Sequence, residues 1–174
     1  MRSFTLYLCF IPLLAARAGI SQTLPDASPR APSLQFVFEE TVQLGSWMKF
    51  GDTPLGSRTL VPITGGTIQG PVLRGRILPG GWDWQLATAG GCRQFRAAYS
   101  IETDDHVRIR VDNRAKICPD KESTVEDLFT APEFEAPLGR YQWLNSGAYI
   151  GVLHFVPGGA QPEVTIRIYR AKAL

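Results

Sequence analysis

From Gln35 onward the chain alternates apolar and polar residues in short runs, and Gly, Pro, Asp or Asn separates one run from the next. Side chains of a β-strand point alternately to opposite faces, so this period of two indicates strands that are buried on one side. The separating residues are those that turns require. The pattern predicts about eight strands, most of them in RTLVPITGGTIQG, VLRGRIL, WDWQLAT, QFRAAYSIET, HVRIRVDNRAKI, YQWLNSGAYIGVLHFV and EVTIRIYRA.

One segment carries a helix signal. Ser123 is followed three residues later by Glu126, which makes a capping box at the start of TVEDLF. A single short helix among many short strands predicts an all-β domain. The pattern of strands alone leaves a sandwich and a closed antiparallel barrel as alternatives.

The strands on either side of residues 104–106 can be aligned residue by residue. Pairing Ile101 with Ile109 puts the apolar residues of both strands on one face, and the alternation continues along both strands. Extended outward, this register sets Cys92 opposite Cys118. Directly opposed residues of antiparallel strands lie close enough for a disulfide, which we predict here. The alternative is a pair of buried free thiols.

The N-terminal residues have the pattern of a secretory signal peptide. A basic residue precedes an apolar run at 4–14, and small residues flank Arg17. We therefore predict a signal peptide over residues 1–18, a flexible leader over 19–33 and one β-barrel domain over 34–174. The expected location is the secretory pathway or the extracellular space, where disulfides persist.

Charge and motif content exclude several function classes. The chain has 18 Lys and Arg against 16 Asp and Glu, and two of the arginines lie in the predicted signal peptide. A neutral mature chain argues against nucleic acid or a membrane surface as a partner. His106 and His154 are the only histidines and lie on different segments, so no metal site is expected. GGTIQG lacks the Lys-Ser/Thr of a phosphate-binding loop, and no cofactor is expected.

The WDWQ run is a candidate for proton chemistry. Trp82 and Trp84 share one face of their strand, and Asp83 and Gln85 share the other. If the tryptophans point inward, Asp83 is solvated and its carboxylate is ordinary. If Asp83 points inward, desolvation raises its pKa, and such an acid can transfer protons near neutral pH. The alternation alone leaves both orientations open.

Other aromatic residues carry polar groups that an apolar core does not need. Tyr99 lies on the apolar face of its strand, and a period of two puts Tyr141, Trp143 and Asn145 on one face of YQWLN. These side chains either fill the core of a small barrel or line a cavity in which hydroxyl, indole and amide groups hold a polar ligand.

The same runs resemble, in order, the characteristic segments of domain-of-unknown-function family 3237. This resemblance implies a single closed or nearly closed antiparallel β-barrel, lipocalin-like, with one short helix. Trp82 departs from the family pattern, which has a small residue there, and His106 replaces a turn glycine. The matching positions are 51–54, 61–70, 75, 79–86, 98–105, 113–114, 130–135 and 141–145.

Some fungal members of that family resemble cofactor-independent cyclases of secondary metabolism, which close an ether ring by hydroalkoxylation. The resemblance implies a cyclase or isomerase that acts on a small hydrophobic aromatic metabolite in the barrel cavity. Asp83 and Tyr99 are the expected proton-transfer residues. The alternatives are a secreted carrier of small apolar ligands and an interaction module with a filled barrel, and a homodimer is left open. The expected substrate-binding residues are Trp84, Gln85, Arg110, Tyr141, Trp143 and Asn145.

Overall fold

The computed structural model describes residues 31–118, 128–156 and 162–173, and within them it is almost entirely β-structure. The predicted signal peptide, most of the predicted leader and most of the predicted capping-box helix lie outside these residues, and the last two residues of that helix segment, Leu128 and Phe129, belong to a strand. The described elements are β1 (Ser33–Leu44), β2 (Met48–Thr53), β3 (Gly56–Gln69), β4 (Gly75–Ile77), β5 (Gly81–Ala87), β6 (Arg93–Thr103), β7 (Arg108–Ile117), β8 (Leu128–Glu135), a 3-10 helix (Gln142–Asn145), β9 (Tyr149–Val156) and β10 (Glu163–Lys172).

The strands pair antiparallel around a ring of eight positions. β1 pairs with β10 on one side and with the second half of β3 on the other, which closes the ring. β4 and β5 lie end to end between β3 and β6 and so share one position. Closure pairs backbone groups that an open sheet would leave at its edges. The predicted all-β, barrel-like fold is confirmed.

The predicted hairpin of β6 and β7 is confirmed to the residue. Ile101 pairs with Ile109, and the same register runs from the turn to Arg93 and Ile117. Cys92 and Cys118 form the predicted disulfide just beyond the ends of the two strands. His106 has a φ of 64°, the left-handed conformation that glycine adopts most easily. A glycine, which the resemblance to family 3237 implies at this turn, would adopt the conformation more easily than His106 does.

The prediction of a strand through YQWLN is wrong. Gln142–Asn145 forms a 3-10 helix, and β9 begins only at Tyr149. Asn145 causes this change of direction, because its Nδ2 donates to the Ala136 carbonyl at 2.8 Å and its Oδ1 accepts from the Ala136 amide at 2.7 Å. An Asn side chain that bonds to nearby backbone competes with strand pairing.

The two ends of the ring differ. The end beside the β6–β7 turn, here called the closed end, is filled by buried side chains such as Ile68, Ile101, Ile109 and Leu144. The other end, beside the Cys92–Cys118 bridge, is here called the open end. Small barrels are normally filled by side chains, so the space left toward the open end is the feature to explain. No helix in the described part of the chain is long and apolar enough to span a membrane.

Candidate functional site

A cavity of about 120 Å³ lies between the packed core and the open end. Most of its wall is apolar, with side chains such as Ile63, Phe95 and Leu153. Trp47 and Phe155 also line it and are 55% and 64% exposed, so they mark its mouth. Ring-lining side chains alternate with outward ones along each strand, and this alternation decides which residues reach the cavity.

Asp83 and Gln85 point into the cavity, and the neighbouring tryptophans point outward. Gln85 Nε2 donates to Asp83 Oδ2 at 2.7 Å. Asp83 Oδ1 is buried and has no hydrogen-bond partner among the described residues. Burial raises the pKa of the Asp83 carboxyl, and the hydrogen bonds from the Gln85 side chain and from the Arg96 backbone oppose this only in part. Of the two orientations that the sequence left open, the structure has the one in which Asp83 points inward and its pKa is raised.

Tyr99 also lines the cavity, and a buried acid lies behind it. The Tyr99 hydroxyl donates to Glu40 Oε1 at 2.5 Å. Glu40 is only 1% exposed, and burial raises its pKa to about 7, against the lowering effect of the Tyr99 hydrogen bond. Burial and the neighbouring Glu40 raise the pKa of Tyr99 well above its ordinary value. Near neutral pH, Glu40 therefore occurs in both protonation states.

Sequence reasoning missed Glu40, although its position carried a signal. Glu40 lies in phase with Phe38 and Val42 on the inward face of β1, where an acid breaks an apolar alternation. Asn113 breaks the inward face of β7 and Thr130 that of β8 in the same way. They are 5% and 7% exposed, and Asn113 Oδ1 and Thr130 Oγ1 have no partner among the described residues. A polar residue in phase with a buried apolar face was the available signal in each case.

Two predicted site residues lie on the outer face of the ring. Trp84 is 39% exposed and packs edge-on against Phe50, with ring centroids 5.9 Å apart. Arg110 lies near two acids, 3.6 Å from Asp112 Oδ2 and 3.5 Å from Glu135 Oε2. Both are out of phase with the inward residues of their strands. Neither lines the cavity, which corrects the expectation that they do.

Three further predicted residues lie at or near the closed end. The Tyr141 hydroxyl donates to Asp105 Oδ1 at 2.7 Å. The ring centroid of Trp143 lies 5.6 Å from the Arg170 guanidinium carbon. The Asn145 side chain bonds to the Ala136 backbone, as described above. The 3-10 helix places them there, whereas the strand expected for this segment would not have. None of them lines the cavity. Of the eight predicted site residues, the cavity brings together Asp83, Gln85 and Tyr99.

The described residues contain no group of three or more His, Cys, Asp or Glu side chains that could hold a metal ion. The polar side chains that line the cavity carry carboxyl, amide, hydroxyl and guanidinium groups, the last from Arg93 and Arg114, set in a mainly apolar wall. What this arrangement offers is proton transfer and hydrogen bonding to an apolar guest.

Comparison with known proteins places the chain in a family. The family model described as "Protein of unknown function (DUF3237)" matches residues 32–171, so the chain belongs to that family, as the sequence predicts. A UPF0311 protein of Rhodopseudomonas palustris is 29% identical over 134 residues, which cover 69% of this chain and 88% of the relative. The solved structure of a β-barrel-like protein from Acinetobacter baumannii is 27% identical and covers 83% of this chain and 98% of its own, with a TM-score of 0.70.

One relative is an enzyme with a named activity. The hydroalkoxylation enzyme phnH of Penicillium herquei is 27% identical over 133 residues, which cover 76% of this chain and 82% of the relative. The family therefore includes at least one enzyme alongside proteins of unknown function.

Proposed function

We propose that the cavity is the active site of a cofactor-independent cyclase or isomerase of secondary-metabolite biosynthesis, which closes an ether ring on a hydrophobic aromatic substrate by hydroalkoxylation. One observation carries this proposal. Two acids with raised pKa lie at the same small cavity: Asp83 lines it directly, and Glu40 is hydrogen-bonded to Tyr99, which lines it. The activity named for the fungal relative supports it.

Hydroalkoxylation adds a phenol O–H across a carbon–carbon double bond. The phenol oxygen forms a bond to one alkene carbon, the other alkene carbon gains a proton, and the π bond and the O–H bond break. The reaction therefore needs a group that accepts the phenol proton and a group that donates a proton to carbon. Asp83, as the carboxylate, is the acceptor, and its unpartnered Oδ1 receives the phenol proton.

Tyr99 and Glu40 form the donor. When Glu40 carries a proton, it donates to the Tyr99 oxygen, and the hydroxyl proton of Tyr99 is released toward the cavity. Tyr99 passes this proton to the alkene carbon and takes the proton of Glu40 in its place. The phenol proton left on Asp83 then returns by way of the cavity to Tyr99, and Tyr99 passes its own hydroxyl proton on to Glu40, so charges and protons balance over one cycle. Activity requires protonated Glu40 and falls as the pH rises above about 7.

The size of the cavity limits what enters it. A cavity of about 150 Å³ lined by apolar side chains holds a benzene molecule, and this one has about 120 Å³. One substituted ring or one alkenyl group fits, and the remainder of a larger substrate lies against Trp47 and Phe155 at the mouth. Holding the phenol oxygen and the alkene together in this confined space contributes to the rate by proximity.

The test uses 2-prenylphenol as a probe, which cyclises to an isomer of the same mass. We expect the wild-type protein to produce the cyclic ether, detected by chromatography and by loss of the vinyl proton in NMR. Glu40→Gln and Tyr99→Phe should each lower kcat/KM by about 100-fold, because each removes one member of the proton donor. Tyr141→Phe is the matched control, since it removes a tyrosine hydroxyl at the closed end, and its kcat/KM should stay within about threefold.

The second candidate is a non-catalytic carrier of small apolar ligands, favoured by the apolar wall and the exposed aromatic residues at the mouth. A carrier returns its ligand unchanged. If the protein binds a panel of prenylated and allylated phenols and releases each one intact, the cyclase proposal is wrong and the carrier is supported. Unchanged turnover in both Glu40→Gln and Tyr99→Phe would leave a cyclase but refute these residue roles.

The location that we propose is the secretory pathway or the extracellular space. Two observations support it, the signal-peptide pattern of residues 1–18 and the Cys92–Cys118 disulfide. Expression of the full chain in a eukaryotic secretory host tests the proposal. The medium should contain a protein whose N-terminal sequence begins after Ala18, and retention of the uncleaved chain inside the cell would contradict it.

A further inference from the structure

Three oxygen atoms on one wall of the cavity are buried without a hydrogen-bond partner among the described residues: Asp83 Oδ1, Asn113 Oδ1 and Thr130 Oγ1. All three residues line the cavity. Buried polar atoms of folded proteins nearly always have partners, so three exceptions on one wall need an explanation. We call these three residues the acceptor wall.

The strand register shows that two members of the wall lie in one row. Asp83 on β5 is opposite Ala97 on β6, and Ala97 is opposite Asn113 on β7. Neighbouring strands lie about 4.8 Å apart, so the backbones of Asp83 and Asn113 are separated by about 10 Å. The Ala97 methyl group leaves the space between them empty. The Asp83 and Asn113 side chains can therefore both bond to one guest molecule that lies over Ala97.

Thr130 extends the wall onto β8. Pro132 pairs with Asn113, and Thr130 lies two residues before Pro132, on the same inward face. Its partner on β9 is Gly151. A Cβ atom at Gly151 would lie 2.1 Å from Thr130 Oγ1, so a larger residue there would displace the hydroxyl. The small residues Ala97 and Gly151 thus keep the space around the unpartnered oxygens open.

The chemistry of the three oxygens defines the guest. A carboxylate oxygen and an amide oxygen only accept hydrogen bonds, and a threonine hydroxyl both donates and accepts. We propose that the acceptor wall binds an aromatic ring that carries at least two hydroxyl groups, which donate to Asp83 and Asn113, with Thr130 bonding to one of them. The apolar remainder of the cavity takes the ring, and longer alkyl substituents lie against Trp47 and Phe155 at the mouth. This inference rests on the proposed function in placing an aromatic substrate here, but it concerns recognition and not turnover.

A matched pair of ligands tests the inference by binding alone. The probes are 5-pentylresorcinol and its dimethyl ether, which share a carbon skeleton but differ in their ability to donate hydrogen bonds. Titration calorimetry with the full chain should show the diol binding at least tenfold more tightly than the ether. Thr130→Val and Asn113→Leu, which keep shape and remove the oxygens, should each weaken diol binding about five- to tenfold and leave ether binding unchanged or stronger.

The controls separate this inference from the proposed activity. Thr165→Val, on β10 and away from the cavity wall, should keep the full preference for the diol. Thr130→Val is close to isosteric, so it carries the test if Asn113→Leu does not fold. Equal binding of the two probes, a preference that survives in both wall variants, or no binding of the diol would overturn the inference. If the protein prefers the diol but does not convert 2-prenylphenol, the cyclase proposal is refuted and the acceptor wall is supported. If the protein converts 2-prenylphenol but does not prefer the diol, the acceptor wall is refuted and the cyclase proposal is supported.

Discussion

The closed end and the cavity wall use the same residue types in opposite ways. At the closed end, Asp105 accepts hydrogen bonds from Thr103 Oγ1 at 2.6 Å, from the Tyr141 hydroxyl at 2.7 Å and from Arg140 Nη1 at 3.1 Å. On the cavity wall, Asp83 and Thr130 each keep a buried oxygen with no partner in the described part of the chain. The hydrogen bonds of one cluster are satisfied within the protein, whereas the other keeps oxygens without a partner among the described residues.

The pKa values of the carboxyl groups at the two places also shift in opposite directions. Hydrogen bonds from Thr103 and Tyr141 lower the pKa of Asp105, whereas burial raises the pKa of Asp83 and of Glu40. An acid that receives hydrogen bonds is stabilised as the anion, and a desolvated acid is stabilised as the neutral form. The closed end therefore stabilises a carboxylate, whereas burial in and behind the cavity wall destabilises the charged forms of Asp83 and Glu40.

The largest stability effect is expected at the covalent link of the open end. Cys92 and Cys118 are 26 positions apart, so their bridge closes a loop whose removal costs about 3–4 kcal/mol of unfolding free energy in the chain-entropy model. The variant Cys92→Ser with Cys118→Ser should show this loss in urea unfolding. Wild-type protein in reductant is the matched control and should give the same value. A loss below about 1 kcal/mol would show that the open end does not depend on the bridge.

The second effect is a pH dependence centred on Glu40. Its pKa is about 7 in the folded protein against an ordinary value of 4.5, so the folded state holds the proton more tightly. The contribution of Glu40 to stability is therefore largest below pH 4.5, falls as the pH rises toward 7 and changes no further above 7. The total loss is about 3 kcal/mol, at about 1.4 kcal/mol per pH unit. In urea unfolding, Glu40→Gln should not show this loss of unfolding free energy between pH 4.5 and 7.

Asp105 provides the contrasting control for that experiment. Its pKa is lowered, so its contribution to stability is present above its ordinary value of 3.8 and is lost as the pH falls through the folded value. Asp105→Asn should therefore reduce the loss of unfolding free energy in acid. It should leave unchanged the fall in unfolding free energy between pH 4.5 and 7. If Glu40→Gln keeps the wild-type profile between these pH values, Glu40 is not the neutral buried acid that the mechanism requires.

The smallest effects come from a matched pair of threonines, one in each cluster. Thr103 is buried, and its hydroxyl bonds to Asp105 and to the backbone of Val107. Thr103→Val should lower the unfolding free energy by about 1–3 kcal/mol, because partners remain unpaired. Thr130→Val replaces an unpartnered hydroxyl and should leave stability unchanged or raise it by less than about 1 kcal/mol. The measurements are thermal and urea unfolding. If Thr103→Val and Thr130→Val lower the unfolding free energy equally, the two clusters do not differ in this respect.

The cavity itself was only partly predictable. The alternation in WDWQ placed Asp83 and Gln85 on one face but did not say which face is inward, because both faces carry residues that a barrel interior accepts. The tertiary structure decides it, because Trp82 and Trp84 are 37% and 39% exposed and Asp83 and Gln85 line the cavity. Glu40 was missed because its partner, Tyr99, lies 59 positions away.

The sequence by itself determined most of the strands, though not the 3-10 helix in YQWLN, and it determined the turn at 104–106 and the register of β6 with β7, hence the disulfide. Period-two alternation and turn chemistry are local properties of the chain. The tertiary structure alone decided how the ring closes on β1 and β3. That closure brings Glu40 against Tyr99, directs Asp83, Asn113 and Thr130 into one cavity, and turns Trp84 and Arg110 outward. Burial and shared space arise only when distant strands meet, so neither the raised pKa values nor the unpartnered oxygens can be read from the residues in isolation.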